Sequence, residues 1–265
     1  HQAVVHTLVL AFVDRHRYFP HTVIATSGEI MSTHYVIPTW DVASLPVAGS
    51  NDRFPVRRIF CVGRNYLEHQ KEMGSTEREE PFFFCKAPHG LVAVNEGENK
   101  GVHYGLMSQN YHWETELVAV LSKGGYKVKA ADANSLIWGY AIGQDMTRRD
   151  LQIAHREKKR PWDFGKDFDE SAVVGPVHPA SKVGHPAKGS IWLKVNGEMK
   201  QKADISDMIL DIPGQIEYLS QYYCLEAGDI IMTGTPAGVG ACKPGDQMVC
   251  GIDGLGELHM NILAR

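Results

Sequence analysis

The sequence predicts an α+β fold, a β-rich mixed roll or sandwich with few helices, and three observations predict it. Short runs rich in β-branched and aromatic residues recur along the chain, separated by Gly, Pro and Asn clusters. Only three stretches, near 66–80, 147–159 and 212–223, carry a helical pattern. Strands and helices do not alternate strictly, which disfavours a doubly wound sheet, and no internal repeat or low-complexity segment interrupts the pattern.

In chain order, a strand is expected over 54–62, closing in the turn Gly63-Arg64-Asn65-Tyr66. The strongly polar stretch that follows has one helical run and a break at Gly74-Ser75, and residues 64–80 read as a lid. A second strand is expected at 82–85, and a Gly-rich loop at 95–110 leads into the run 111–120, whose downstream half is apolar enough to be buried. Residues 136–145 make another apolar strand with Asp145 at its end. Thr147-Arg148-Arg149-Asp150 approximates a capping box that opens a helix through Lys159, stopped before Pro161. Strands at 191–195 and 229–233, a helix at 212–223 and a hairpin turning at Asp253-Gly254 complete the reading.

With 265 residues the chain can bury a substantial core. Residues 1–30 read as an N-terminal extension, since Met31 is a plausible start, and 31–265 as one catalytic domain. A balance of 27 basic to 31 acidic residues, with no basic stripe, gives no electrostatic case for nucleic acid or an anionic membrane. No run approaches the roughly 20 apolar residues of a membrane span. Five scattered cysteines without a CxxC pair argue against a disulfide framework and for a reducing, cytoplasmic setting, with mitochondria the alternative in a eukaryote. The expected partner is a small molecule.

The chemistry centres on Glu114 and Glu116. On a strand, residues i and i+2 face the same side, so two carboxylates would be forced together beside a hydrophobic stretch. They would repel and resist desolvation unless a cation neutralised them. Asp145 offers a third carboxylate, and an all-oxygen set suits Mg²⁺ or Mn²⁺, whereas no thiolate or histidine pair argues for zinc. On spacing alone, a solvated face of an edge strand remains the alternative. His69 and Glu72 are neighbours on one helical face, a pairing that can make a general base but also occurs on ordinary solvated helices. Lys166, among aromatics and acids, suits an anionic oxygen, although a snorkelling lysine fits equally well. The loop from Gly234 to Gly240 lacks the ending of a P-loop. It is either a plain turn or a carboxylate-binding loop of backbone N–H groups and a Thr hydroxyl.

Taken in order, these segments resemble the fumarylacetoacetate hydrolase superfamily. The resemblance rests on Gly63-Arg64-Asn65-Tyr66 with His69 and Glu72, then His112-x-Glu114-x-Glu116, then Asp145-Met146-Thr147-Arg148-Arg149-Asp150-Leu151-Gln152. It continues through Gly165-Lys166-x-Phe168-Asp169, Val195-Asn196-Gly197-Glu198 and Thr233-Gly234-Thr235-Pro236-x-Gly238-Val239-Gly240, and covers about 35–265. Within the superfamily the chain looks most like short fumarylpyruvate hydrolases and acylpyruvases. Lys86-Ala87-Pro88 in place of Lys-Pro, and the proline-free 95–110 loop, depart from the pattern at the substrate rim.

The resemblance implies the family's β-roll, a homodimer, and Mg²⁺ or Mn²⁺ on Glu114, Glu116 and Asp145. It implies a lid bearing His69 and Glu72, with Lys166 completing the catalytic set. Arg64, Tyr66, Gln152 and Thr235 would bind substrate, Thr235 at its carboxylate. The expected reaction is hydrolysis of the C–C bond of a 2,4-diketo acid, with fumarylpyruvate giving fumarate and pyruvate. His69 would take a proton from the attacking water while Lys166 and the cation steady the developing oxyanions. Alternatives are oxaloacetate decarboxylation, isomerisation or hydration of a 2-oxo-dienoate, and a non-catalytic metal-binding protein of the same fold.

Overall fold

The structure, a computed structural model, describes residues 34–74 and 82–265. Two units divide the chain, His1–Asp41 and Val42–Arg265. In the first, the described residues 34–41 are exposed and form no helix or strand. The expected boundary at 30/31, and the far end of the expected lid at 75–80, lie outside the described residues.

Two large sheets build the second unit. The first has eight strands: Phe82–Lys86, Arg58–Gly63, Asp229–Met232, Thr115–Leu121, Ile137–Asp145, Ala172–Val174 and Leu91–Ala93 in spatial order, with His178–Pro179 also pairing to Ile137–Asp145. The second has five: Glu198–Asp204, Ser190–Val195, Gln247–Ile252, Gly256–Leu263 and Asn99–His103. Tyr111–Trp113 lies between Thr147–Arg148 and Gly240–Cys242 in a smaller sheet.

Thr115–Leu121 is buried along its whole length because both faces of its sheet are covered. Leu117, Ala119 and Leu121 point into the main core, against Ile191, Leu193, Cys250 and Met260 of the second sheet. Val118 and Val120 point the other way, with Ala141, Ile230 and Met232, into a second core closed by Leu45, Phe54 and Val56. This period-2 division explains the unbroken apolar run: each residue has a core to enter. The fold is strand-rich and sandwich-like with few helices, as expected. Ile212–Tyr222 is the longest described helix, capped by Asp211, whose Oδ1 accepts the Gly214 N–H at 2.9 Å; it buries Ile212, Ile216 and Leu219 on one face.

Four local expectations are corrected. The strand expected over 54–62 is two, Arg53–Pro55 and Arg58–Gly63, because the Val56 and Arg57 N–H groups go to Ala43 O (2.7 Å) and Gly228 O (2.8 Å). The loop expected at 95–110 contains the strand Asn99–His103, parallel to Gly256–Leu263. Its Gly and Asn residues hide a strand whose inward anchor is Val102, fully buried, while Gly101 makes room for Leu263. Thr147 is not a cap: it is fully buried in a strand pairing with Tyr111–Trp113, and its hydroxyl donates to Asp145 O at 3.0 Å. The helix there is Arg149–Glu157, without a side-chain cap, and it ends before Lys159, whose φ of +54° is left-handed.

Candidate active site

Glu114 falls between Tyr111–Trp113 and Thr115–Leu121, so the run that carries the two glutamates is broken at the first of them. Pairing continues across the break through Asp145 N–H to Glu114 O, 2.9 Å. The face carrying Val118 and Ala141 therefore runs out at the strand ends into Glu116 and Asp145. Glu114, Glu116 and Asp145 are all buried, and one oxygen from each lies within 4.8 Å of the others. Gly234 N–H donates to Glu116 Oε2 at 2.9 Å. Gly234 sits at φ +99°, and a Cβ there would stand 2.6 Å from Asn65 Cβ, so this close approach requires glycine.

Three buried cations surround the carboxylates. Lys166 Nζ lies 2.7 Å from Glu114 Oε2, from Asp145 Oδ2 and from Thr147 Oγ1. Arg149 Nη2 donates to Glu114 Oε1 and its Nη1 to Gln152 Oε1 at 2.6 Å. Lys86 Nζ stands 2.7 Å from Asp145 Oδ1, an ion-pair contact outside hydrogen-bond geometry, and donates to the Lys166 carbonyl. Burial opposes the Glu114 charge, but Lys166 and Arg149 beside it hold its carboxyl far below the usual range. For Glu116, burial and the neighbouring Asp145 and Glu114 charges push the carboxyl well up. Lys166 is raised despite burial, by Asp145 and Glu114. Burial and the Arg149 charge push His112 down to about 4. Its neutral ring takes a long contact from Arg149 Nε (3.4 Å), which leaves Nε2–H for Asn110 Oδ1 (2.8 Å).

The helix Leu67–Glu72 covers this group. His69 is buried, its Nδ1 3.0 Å from Glu72 Oε2. Glu72 also accepts from Gly238 N–H at 3.1 Å. Burial raises its carboxyl, but the hydrogen bonds from His69 and Gly238 outweigh that and lower it. The loop after Asp229–Met232 thus presents backbone N–H groups to two carboxylates of the protein itself, Glu116 of the metal-type group and Glu72 of the covering helix.

The donor set fits a hard divalent cation: three buried carboxylates, all oxygen, of which Glu116 is paired with no side-chain cation among the described residues. Residues 58–263 match the family model described as fumarylacetoacetate (FAA) hydrolase C-terminal. The chain belongs to the fumarylacetoacetate hydrolase family. A fumarylpyruvate hydrolase from Pseudomonas aeruginosa, solved in complex with Mn²⁺ and pyruvate, is 47% identical at a TM-score of 0.86, covering 88% of this chain and 100% of that one. A fumarylpyruvate hydrolase of Ralstonia sp is 42% identical over 69% of this chain and 93% of its own length. A mitochondrial oxaloacetate decarboxylase of Dictyostelium discoideum is 37% identical over 79% of this chain and 95% of its own.

In this member of the family the pocket beside the carboxylates is lined by Arg64, His69, Glu114, Glu116, Gln152, Lys166 and Thr235, which were expected there. Asp145 lies beneath them and Glu72 behind His69. Tyr66 lines a different cavity of about 390 Å³, with Leu67, Lys202 and Pro236. Thr235 donates its hydroxyl proton to Thr115 O at 2.9 Å, so in this arrangement it offers a substrate carboxylate a lone pair and no proton. Arg149, Met73, Phe84 and Trp162 also line the pocket, and the sequence reading gave them no role. Only Arg149 carried a signal, four residues after Asp145 on the opening turn of a helix. The pocket leaves room of about 20 Å³ for water-sized molecules, roughly one water.

Proposed function

We propose that this protein is a metal-dependent C–C hydrolase of acylpyruvates, with fumarylpyruvate, cleaved to fumarate and pyruvate, as the favoured substrate. The observation that carries this reading is one pocket lined by His69, Glu114 and Glu116, with Glu72 bonded to His69 behind it and Asp145 grouped with the two glutamates. The Ralstonia and Pseudomonas relatives, fumarylpyruvate hydrolases by name, the latter holding Mn²⁺ and pyruvate, support it.

Glu72 accepts the Nδ1 proton of His69, which turns Nε2 to the pocket as the basic nitrogen. There His69 takes a proton from the water that adds to the 4-oxo carbon; the oxyanion then collapses to the fumarate carboxyl as the C3–C4 bond breaks, and the proton on His69 passes to C3 of the departing pyruvate enolate. Lys166 and Arg149 hold positive charge against the oxyanion so formed. Mg²⁺ or Mn²⁺ on Glu114, Glu116 and Asp145, when bound, supplies charge stabilisation for the enolate of the departing pyruvate. Charge counting favours an anionic 2-oxo acid. Three carboxylates offset Lys86, Lys166 and Arg149, so a divalent ion leaves about +2, which the substrate carboxylate and developing enolate oxygen offset. Arg64 and Gln152 anchor the substrate. Thr235 shapes the wall.

The test is a substrate panel of fumarylpyruvate, acetylpyruvate and oxaloacetate, each with and without EDTA. EDTA-sensitive release of equimolar pyruvate and fumarate is the expected result, and indifference to fumarylpyruvate and acetylpyruvate overturns the reading. A second reading, oxaloacetate decarboxylation, is supported by the Dictyostelium relative. It needs no attacking water, so His69→Ala separates the two: hydrolysis should fall about 10²-fold or more, and decarboxylation should persist. We further infer a homodimer in a reducing compartment, the latter because the five cysteines are odd in number and scattered without a CxxC pair. Sedimentation at a monomer mass would remove the dimer.

A further inference from the structure

We propose that Gln201 is a positioning residue for the metal site and for the loop that grips the lid. The inference rests on the hydrolase reading for its catalytic consequence but on geometry alone for its metal-binding one. Gln201 lies on Glu198–Asp204, the edge strand of the second sheet, and is buried to 1% exposure. Its primary amide leaves that sheet and enters the other. Oε1 accepts the Thr115 N–H at 3.1 Å, while Nε2 donates to Thr235 Oγ1 at 2.8 Å and to Pro236 O at 2.9 Å. Thr235 Oγ1 in turn donates to Thr115 O at 2.9 Å. The amide, the hydroxyl and the two peptide groups of Thr115 therefore close a ring.

Thr115 stands between Glu114 and Glu116, so that ring fixes the peptide on either side of it. The strand break at Glu114 needs such a partner: a buried N–H at a break is costly unless another group accepts it. Thr115 is also held from its other side, where Gln144 Nε2 donates to its Oγ1 at 2.5 Å. The same loop carries Gly234, bonded to Glu116, and Gly238, bonded to Glu72. Gly238 sits at φ +96° with its Cα against the Lys200 carbonyl, which a Cβ would approach to 2.0 Å. The pairing of this edge strand with Ser190–Val195 slips by one residue beside Gln201: Leu193 faces Gln201 and Lys194 faces Met199, so Lys200 is the bulged residue. Gln201 thus sets the spacing of two carboxylates and the height of the loop that holds the lid. An amide is required because it must accept once and donate twice.

The test compares Gln201→Met and Gln201→Glu with wild type for Mn²⁺ affinity by titration calorimetry, and for kcat and KM on fumarylpyruvate at saturating Mn²⁺. Both variants should bind Mn²⁺ about 10- to 100-fold more weakly, the usual cost of losing a group that orients a metal ligand. Activity at saturating Mn²⁺ should return in part, with KM still raised because the lid contact is displaced. Gln201→Glu preserves shape and covers the case in which Gln201→Met does not fold. Combined with Thr235→Val, the loss in affinity should be less than the product of the single losses, because both act on Thr115. Unchanged Mn²⁺ affinity in a folded variant, whatever its melting temperature, overturns the proposal, as do fully multiplicative losses. If wild type binds Mn²⁺ but hydrolyses no acylpyruvate, the hydrolase reading fails and the affinity measurements still decide the role of Gln201.

Discussion

Gly238 donates its backbone N–H to the Glu72 carboxylate at 3.1 Å, and this contact clasps the helix Leu67–Glu72 to the loop that also holds Glu116. Through Glu72 the same contact holds His69 at the wall of the pocket beside the three carboxylates. Glu72→Ala removes both the clasp and the partner of His69 Nδ1. The helix Leu67–Glu72 should then exchange its amide hydrogens faster, and kcat should fall about 10²-fold with Mn²⁺ affinity unchanged. Exchange at wild-type rates would mean that the contact does not hold this helix.

The two glutamates should not behave alike. Glu114 accepts from Lys166 and Arg149, both buried, so Glu114→Gln turns an amide N–H₂ toward a cation and should destabilise the metal-free protein by about 3 kcal/mol. Glu116 accepts from the Gly234 N–H, and Gln retains that acceptor. Glu116→Gln should therefore change metal-free stability by less than about 1 kcal/mol. Both substitutions should abolish the stabilisation that Mn²⁺ gives wild type. Melting curves with EDTA and with excess Mn²⁺ check this, and equal losses for the two in EDTA would contradict the distinction.

Lys166 joins Glu114, Asp145 and Thr147 through one ammonium. Lys166→Met leaves two buried carboxylates with one fewer cation each and should cost about 3 kcal/mol without metal. A divalent ion reduces the same repulsion, so Mn²⁺ should raise the melting temperature of this variant by more than it raises that of wild type. A smaller rise would show that Lys166 helps to bind the ion rather than competing with it for the carboxylates.

Much of this was legible because two central strands of the first sheet are almost wholly buried. Residues 117–121 and 137–143 carry no charged side chain, so the acids at the ends of those strands stood out against the background. What stayed hidden depended on partners distant in sequence. The cations that neutralise Glu114 come from positions 149 and 166, and Gln201 reaches Thr115 from another sheet, 86 residues away. A lone buried Gln has no periodicity to reveal it. Thr147 looked like a cap because Thr-x-x-Asp is a local pattern, whereas its hydroxyl is used by a lysine 19 residues on. Asn99–His103 was masked by its own Gly101, which is present for Leu263 and not for a turn.

Gly165, next to Lys166, offers the most direct test of how tightly the site is set. Its helix, Asp163–Lys166, packs against Arg149–Glu157 so closely that a Cβ on Gly165 would stand 2.6 Å from Gln152 Cβ and 2.7 Å from Gln152 Cα. Backbone atoms of a helix cannot yield as a flexible side chain would, so the two helices must part. Gly165→Ala should cost about 1–3 kcal/mol and draw Lys166 from its 2.7 Å contacts. Since Arg149 Nη1 bonds Gln152, the shift should reach the Glu114 pair as well. Catalysis depends on these positions to within a fraction of an ångström, so kcat on fumarylpyruvate should fall by at least about 10-fold with the protein still folded. A stable Gly165→Ala protein with wild-type kcat would show that the Lys166 position is not set by this helix contact.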